Sequence, residues 1–307
     1  MRLLASFVMR GRMQAAMAAS VLALLSLLLP PVTLLSAAVV ALVTLRRGLQ
    51  EGALLVGLST LACALLSLLA LGVVLPVVSF VLLLWLPVWL LGGVLRVSRS
   101  LGLTLQVGLL LGLVVIAAQY TQGGDPVATW REALEPFVQS LVEAGVLQAS
   151  DEAGLVETMA AWMPGVIAVG FLLQTMIALF LGRWWQALLY NPGGFRQEFH
   201  QLRMGRPLAW ATLAVLGLTA FAGSAGGHWL SYLDMLLVSA WFLQGLAVIH
   251  GIVGKRRRGA GWLVTVYALL ALAMPHMATV LALIGFTDSW IDMRARVGPG
   301  KDPDRTG

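Results

Sequence analysis

The sequence predicts an all-α protein of the lipid bilayer: a polytopic transmembrane helical bundle of about nine spans, with an amphipathic helical hairpin outside the cytoplasm. Three observations predict it. Hydrophobic residues make up 59% of the chain and charged residues 11%, against roughly 45–50% and 25% in soluble domains. Gly52–Leu95 carries no charge at all, long enough for two membrane helices of about 20 residues each. Arginines gather at the ends of apolar runs, as positive-inside orientation requires. Lipid leaves no partner for open backbone groups, and the alternation of barrel strands is missing, so the spans are helices.

Charge and cysteine exclude other classes. A net charge of +6 in a soluble domain would suggest nucleic acid; here the cations mark span ends, and no nucleic-acid partner is expected. Cys63 is the single cysteine, so neither an internal disulfide nor a cysteine metal cluster is available. Arg2, Arg10 and Arg12 precede an apolar run that resembles a signal peptide. Further membrane segments follow it, which makes an uncleaved first span the better reading, with the amino terminus cytoplasmic.

The first region, residues 1–118, holds about five spans. Pro30-Pro31 breaks the run from Met13 to Leu45, which is either one long kinked helix or a hairpin of two short ones. Its second limb, Val32–Leu45, reaches only about 21 Å at 1.5 Å per residue, short of a core of about 30 Å. Charge parity still favours two crossings, since Arg46-Arg47 then rejoin the amino-terminal arginines. Gly52–Leu95 supplies two helices turning near Gly72 and ending at Arg96 and Arg99, and Leu101–Ala118 leads out.

Residues 119–164 differ in kind. Half of the chain's 14 acidic residues lie here (Asp125, Glu132, Glu135, Glu143, Asp151, Glu152 and Glu157), with Arg131 the only cation. That asymmetry places the segment outside the cytoplasm. Leu134, Phe137, Leu141 and Leu147, with Val138, Val142 and Val146, form one helical apolar face, and Leu155, Met159 and Trp162 a second. Two amphipathic helices broken at Gln148–Ser150 are expected against the outer surface.

Residues 165–285 add about four spans: Gly165–Leu181, Leu208–Ala222, Trp229–Ile249 and Trp262–Ile284. A cytoplasmic loop, residues 183–207, divides the first two. Residues 286–307 are a polar tail whose cations balance its acids, so its side stays open; a cytoplasmic tail would change the count to eight or ten.

Loop 183–207 is the longest basic and aromatic interruption of the chain. Trp184, Trp185 and Tyr190 suit the membrane–water boundary. Asn191-Pro192-Gly193-Gly194 is a strong turn signal. Phe195, Phe199 and Leu202 recur at helical spacing with Arg196, Glu198 and Arg203 between them, predicting a short surface helix. Arg183, Trp184, Trp185, Arg196 and Arg203 are therefore candidate contacts for a membrane or cytoplasmic protein partner; the plain alternative is an interfacial anchor.

Candidate ligand-binding residues lie within spans, where polar groups are costly. Pro275 in Met274-Pro275-His276-Met277 frees a backbone carbonyl, which lets His276 bind a small molecule or carry a proton; otherwise it is a kinked helix with one interhelical bond. Trp85 and Trp89, four apart around Pro87, either line a cavity for a planar ligand or pack on each other. Asp234, a turn inside its helix, pairs with a histidine or stays wet at the outer mouth. Gln106, Gln174 and Gln244 suit interhelical hydrogen bonds, and Gly108-x-x-x-Gly112 permits close helix approach. Ala222-Gly223-Ser224-Ala225-Gly226 lacks the serine elbow's first glycine, and no H-E-x-x-H or P-loop is present. No enzyme, metal or cofactor is expected.

Arg183-Trp184-Trp185-Gln186, Tyr190 through Arg196, Glu198-Phe199, and Arg47-Gly48 with Gly52 resemble the YybS-like domain-of-unknown-function family of bacterial predicted membrane proteins. That family is distantly similar to the substrate-binding membrane components of energy-coupling-factor vitamin transporters and to the rod-shape protein MreD. The resemblance implies an inner-membrane bundle that binds a small molecule within a transport system, without its own ATPase, or else a scaffold of the cell envelope acting through protein partners. Ala15 and Ala19 echo the Ala-x-x-x-Ala by which the transporter components dock on their coupling subunit.

Overall fold

The computed structural model describes residues 1–121, 124–223, 227–256 and 261–298, and every regular element among them is helical. Arg257 and Arg258, Ser224–Gly226 and the charges from Lys301 onward lie outside the described residues. Six helices are long and apolar enough to cross a membrane, and Arg12–Leu25, Arg206–Ala222 and Gly261–Leu272 are shorter apolar helices. The chain divides into two compact units. One is Met1–Gly108 with Leu173–Gly205 and Trp241–Gly307; the other is Leu109–Leu172 with Arg206–Ala240.

The first unit is built around α3 (Thr33–Arg47), which follows α1 (Arg2–Val8), α2 (Arg12–Leu25) and a Pro30–Val32 turn. Every residue from Ser36 to Leu45 is buried. This explains how so short an apolar segment serves: α3 is enclosed by α2, α4 (Leu49–Leu71) and α6 (Leu86–Ser98) rather than by lipid. Small side chains make that enclosure close. A Cβ on Gly182 would lie 2.5 Å from the Ala41 Cβ and 2.8 Å from the Ala38 carbonyl oxygen. Gly48, at φ +108°, turns α3 directly into α4, a conformation L side chains resist. Ala15 and Ala19 are 3% and 0% exposed, and Ser36 Oγ donates to the Ala19 carbonyl. The Ala-x-x-x-Ala face is thus occupied inside the protein and offers no free docking stripe.

Gly72, at φ +71°, ends α4, as the sequence indicated. The helix that follows begins as α5 (Leu75–Phe80), widens to a π turn over Val81–Trp85 and continues as α6. Pro87 lacks an N–H, so a carbonyl one turn earlier loses its partner and the wide turn absorbs the misfit. Trp85 is fully buried as a result, its Nε1–H donating to Ser36 Oγ at 3.1 Å.

The single outward span expected over Trp262–Ile284 is not formed. Instead α13 (Gly261–Leu272) and α14 (His276–Ile291) are separated at Ala273–Pro275, and the chain comes back on itself. Tyr267 in α13 lies 3.0 Å from His250, while Arg294, beyond α14, accepts from Lys255 Nζ through its carbonyl. Both arms of the segment therefore meet the C-terminal part of α12 (His228–Lys255). Gly245 and Gly285 allow α14 to cross α12 at backbone contact: a Cβ on Gly285 would sit 2.1 Å from the Trp241 carbonyl oxygen. Pro275 interrupts what composition alone reads as one apolar run.

In the second unit, α8 (Pro126–Glu143) is capped by Asp125, whose carboxylate accepts the Val127 N–H. Val127 and Leu134 pack with Ala160 of α9 (Glu152–Tyr190), joined by Trp130, Met159 and Met163. The second amphipathic helix and the following span are one helix, not two: α9 runs unbroken through Pro164, about 58 Å at 1.5 Å per residue. Gln119 binds that proline's carbonyl at 3.2 Å and accepts the Trp130 indole N–H at 3.1 Å. Gly112 meets Leu236, where a Cβ would stand 2.9 Å from the leucine side chain.

Candidate functional site

The site grows from the turn after α9. Gly193, at φ +86°, starts α10 (Gly194–His200). The predicted apolar face is real, but it packs inward. Phe195 and Phe199 lie 5.9 and 5.5 Å from Phe180, and Phe199 meets the His250 ring edge-on at 5.5 Å. Arg183 grips the Glu198 carboxylate with two nitrogens, holding α10 onto α9. Leu202 is buried as well.

Residues 202–205, between α10 and α11 (Arg206–Ala222), are not helical. Their backbone groups need partners if they are not to face apolar surroundings. Side chains supply them. Gln244 Oε1 accepts the Met204 N–H and Gln106 Nε2 donates to the Met204 carbonyl, both at 2.8 Å. Arg294 donates to the carbonyls of His200 and Leu202. Two of the glutamines singled out for interhelical bonds thus brace an irregular segment.

That brace lines a cleft of about 860 Å³. Four cations face it: Arg196, Arg203, Lys255 and Arg294. Two carboxylates answer them. Asp292 lines the cleft and pairs with Arg203, and Asp288, 1% exposed, receives Arg294 at 2.7 Å and Arg203 at 3.8 Å. The hydrogen bond to Asp292 raises the Arg203 pKa, and the same bond lowers that of Asp292. Arg196 is exposed and, among the described residues, has no ion-pair partner. Arg294 Nε and Asp288 Oδ1 are buried and, among the described residues, have no hydrogen-bond partner. Burial, reinforced by Arg196, His250 and Arg294, pushes the His200 pKa down to about 4, so its ring adds no charge at neutral pH.

A second cavity of about 440 Å³ adjoins the first, and Gly193, Arg196 and His200 line both. Its other walls are aromatic and apolar: Phe180, Trp184, Phe195, Phe199 and the hydrogen-bonded His250–Tyr267 pair. Trp184 stands at 36% exposure.

The structure thus brings Trp184, Arg196 and Arg203 together, with Arg183 tying the floor. Trp185 is placed otherwise: it is fully buried and offers no surface to a partner or to lipid headgroups. The expected intramembrane residues do not share one site. Trp85 lines an apolar cavity of about 350 Å³ with Cys63, Phe80 and Pro76. Trp89 donates to the Leu49 carbonyl at 2.9 Å and packs at Gly52. His276 is exposed at the start of α14, and none of these three cavities includes it. Asp234 lies in the other unit, with Oδ1 buried and without a hydrogen-bond partner among the described residues; His228 stacks on Tyr232. Lys255, Asp288, Asp292 and Arg294 escaped the sequence reading, because their partners are distant in the chain and the tail's balanced charges look like a solvated end.

Helices of this length and apolarity, with cations collected at the end of one unit, define a polytopic helical membrane protein. The chain belongs to the family described as Predicted membrane protein (DUF2232), whose model matches residues 17–289. No curated protein and no solved structure matches it.

Proposed function

We propose that this protein is a multi-pass component of the bacterial inner membrane that binds a small anionic molecule in its cationic cleft. In this reading it is the membrane-embedded part of a transport system that draws its energy from a separate ATPase, since the sequence holds no P-loop. One observation carries the reading: four cations line a roomy cleft with, among the described residues, too few carboxylates to neutralise them. The YybS-like resemblance, with its distant kinship to transporter binding components, agrees with it.

The topology proposed with it has a cytoplasmic amino terminus, eight crossings, and α13–α14 entering the membrane and returning to the side it left. Contacts within the first unit favour one cytoplasmic end. Arg47 donates to the Met9 carbonyl, Arg46 covers Tyr190 at 4.0 Å, and Arg294 holds His200. The acidic α8 pair then lies outside. Cysteines placed at Gln197 and Val297 are expected to resist a membrane-impermeant thiol reagent in intact cells, while one at Gln148 reacts. Labelling at Val297 alone would restore a ninth crossing.

The binding reading is tested by incubating the purified full-length protein with cell extract and identifying by mass spectrometry what it retains. A stoichiometric anionic metabolite, absent from Arg196→Glu, is the expected result. Retention of a membrane or cytoskeletal protein and no metabolite would replace it with the scaffold reading.

A further inference from the structure

The geometry points to a phosphomonoester bearing an apolar group as the ligand class, its phosphate among Arg196, Lys255 and Arg294 and its apolar part in the aromatic cavity. The inference rests on the proposed anion site and adds what the anion must carry. Two features give it. The first is charge. Among the described residues, four cations against Asp288 and Asp292 leave two positive charges uncompensated. A phosphomonoester brings about −1.5 to −2 at neutral pH, which matches; a carboxylate brings half of that. The acceptor count agrees too. Among the described residues Arg196 has no ion-pair partner and the buried Arg294 Nε no hydrogen-bond partner, which leaves donors for an oxyanion.

The second feature is that the two cavities share lining residues. Arg196 and His200 belong to both, so a group held by Arg196 has the aromatic walls within a few bond lengths. Inorganic phosphate would fill the polar side and leave about 440 Å³ of apolar space unused. The ring walls of Phe180, Phe199 and Tyr267 gain only from an apolar occupant, through displaced water and ring contacts. Neutral His200 at the junction suits this division, because it neither adds charge to the phosphate side nor brings charge into the apolar one.

Such a molecule has two sources: a membrane lipid monoester or a water-soluble aryl phosphate. The test separates them. The full-length protein is placed in phosphatidylcholine nanodiscs, and binding is measured for 1-naphthyl phosphate, for inorganic phosphate, and for phosphatidate in the disc. Naphthyl phosphate or phosphatidate is expected to bind at least about tenfold more tightly than inorganic phosphate, the size of one well-buried apolar group. Arg196→Ala should weaken all bound probes, and Trp184→Ala, at the exposed rim, only the amphiphilic ones. A response to phosphatidate alone assigns the lipid source; a response to naphthyl phosphate assigns the soluble one. Equal affinity for inorganic phosphate and the amphiphiles, or amphiphile binding indifferent to Trp184→Ala, overturns the inference while leaving the anion site standing. Binding of none of the three removes both.

Discussion

At the scale of single residues, the cleft depends on a charge network that is largely out of water. Arg294 is 5% exposed and Asp288 1%, and ions so placed are tolerated only while paired. Asp288→Asn should therefore cost about 3–5 kcal/mol, the usual penalty for leaving a buried charge without its partner, read as a lower melting temperature in detergent. Arg203→Gln, on a half-exposed side chain, should cost about 1 kcal/mol or less. His200 gives the network a pH dependence. Its folded pKa of about 4 lies below the usual 6.5, so between those values the unfolded chain binds the proton more readily. Stability from this group is complete above about pH 6.5, declines as pH falls toward 4, and is flat below. His200→Gln should flatten the melting temperature between pH 6.5 and 4; an unchanged slope would assign it to other groups.

At the scale of elements, helix contacts in this protein are set by where a side chain is missing. Gly182→Ala would push a methyl group against Ala41 and the α3 backbone, and overpacking of that kind costs about 1–3 kcal/mol. Gly217, in the middle of α11, has nothing within 4 Å of a Cβ, and Gly217→Ala should be neutral or slightly stabilising. A larger loss at Gly217 than at Gly182 would refute this account of the packing. The elements were legible where one physical rule governs a long stretch. Apolar length located the helices, Gly72 the turn after α4, and Asn191–Gly194 the turn before α10. They were less legible where two rules compete. Pro164 and the acidic composition before it suggested a boundary inside α9, yet the helix continues and Gln119 takes up the proline's carbonyl. Pro275, in a run that looked no less continuous, does divide the chain, because Lys255, Gly251 and His200 hold the far end.

At the scale of the whole molecule, the sequence revealed class and periodicity better than sites. The Arg183–Arg206 region stood out by composition, and Arg196, Arg203 and Trp184 do line the clefts. What composition cannot display is which distant residues face them. His250 looked like one more dispersed histidine, and Arg294 like one more tail charge. Trp185 could not be told from Trp184, although one is sealed in the core and the other stands at a rim.

The return of α13–α14 carries a consequence for the order in which the protein becomes able to work. Asp288, Asp292 and Arg294 follow every helix long enough to cross the membrane. During synthesis, those helices can be inserted and packed while the cleft still lacks one wall and half of its brace. Until then the two glutamines brace Met204, while the Leu202 carbonyl lacks its Arg294 donor. The cleft is closed only after those helices are made. A chain stopped after Ser289 is expected to insert with the same topology and to retain no anion. Retention by that chain would show that the turn around Arg196 is a sufficient site without its closing segment.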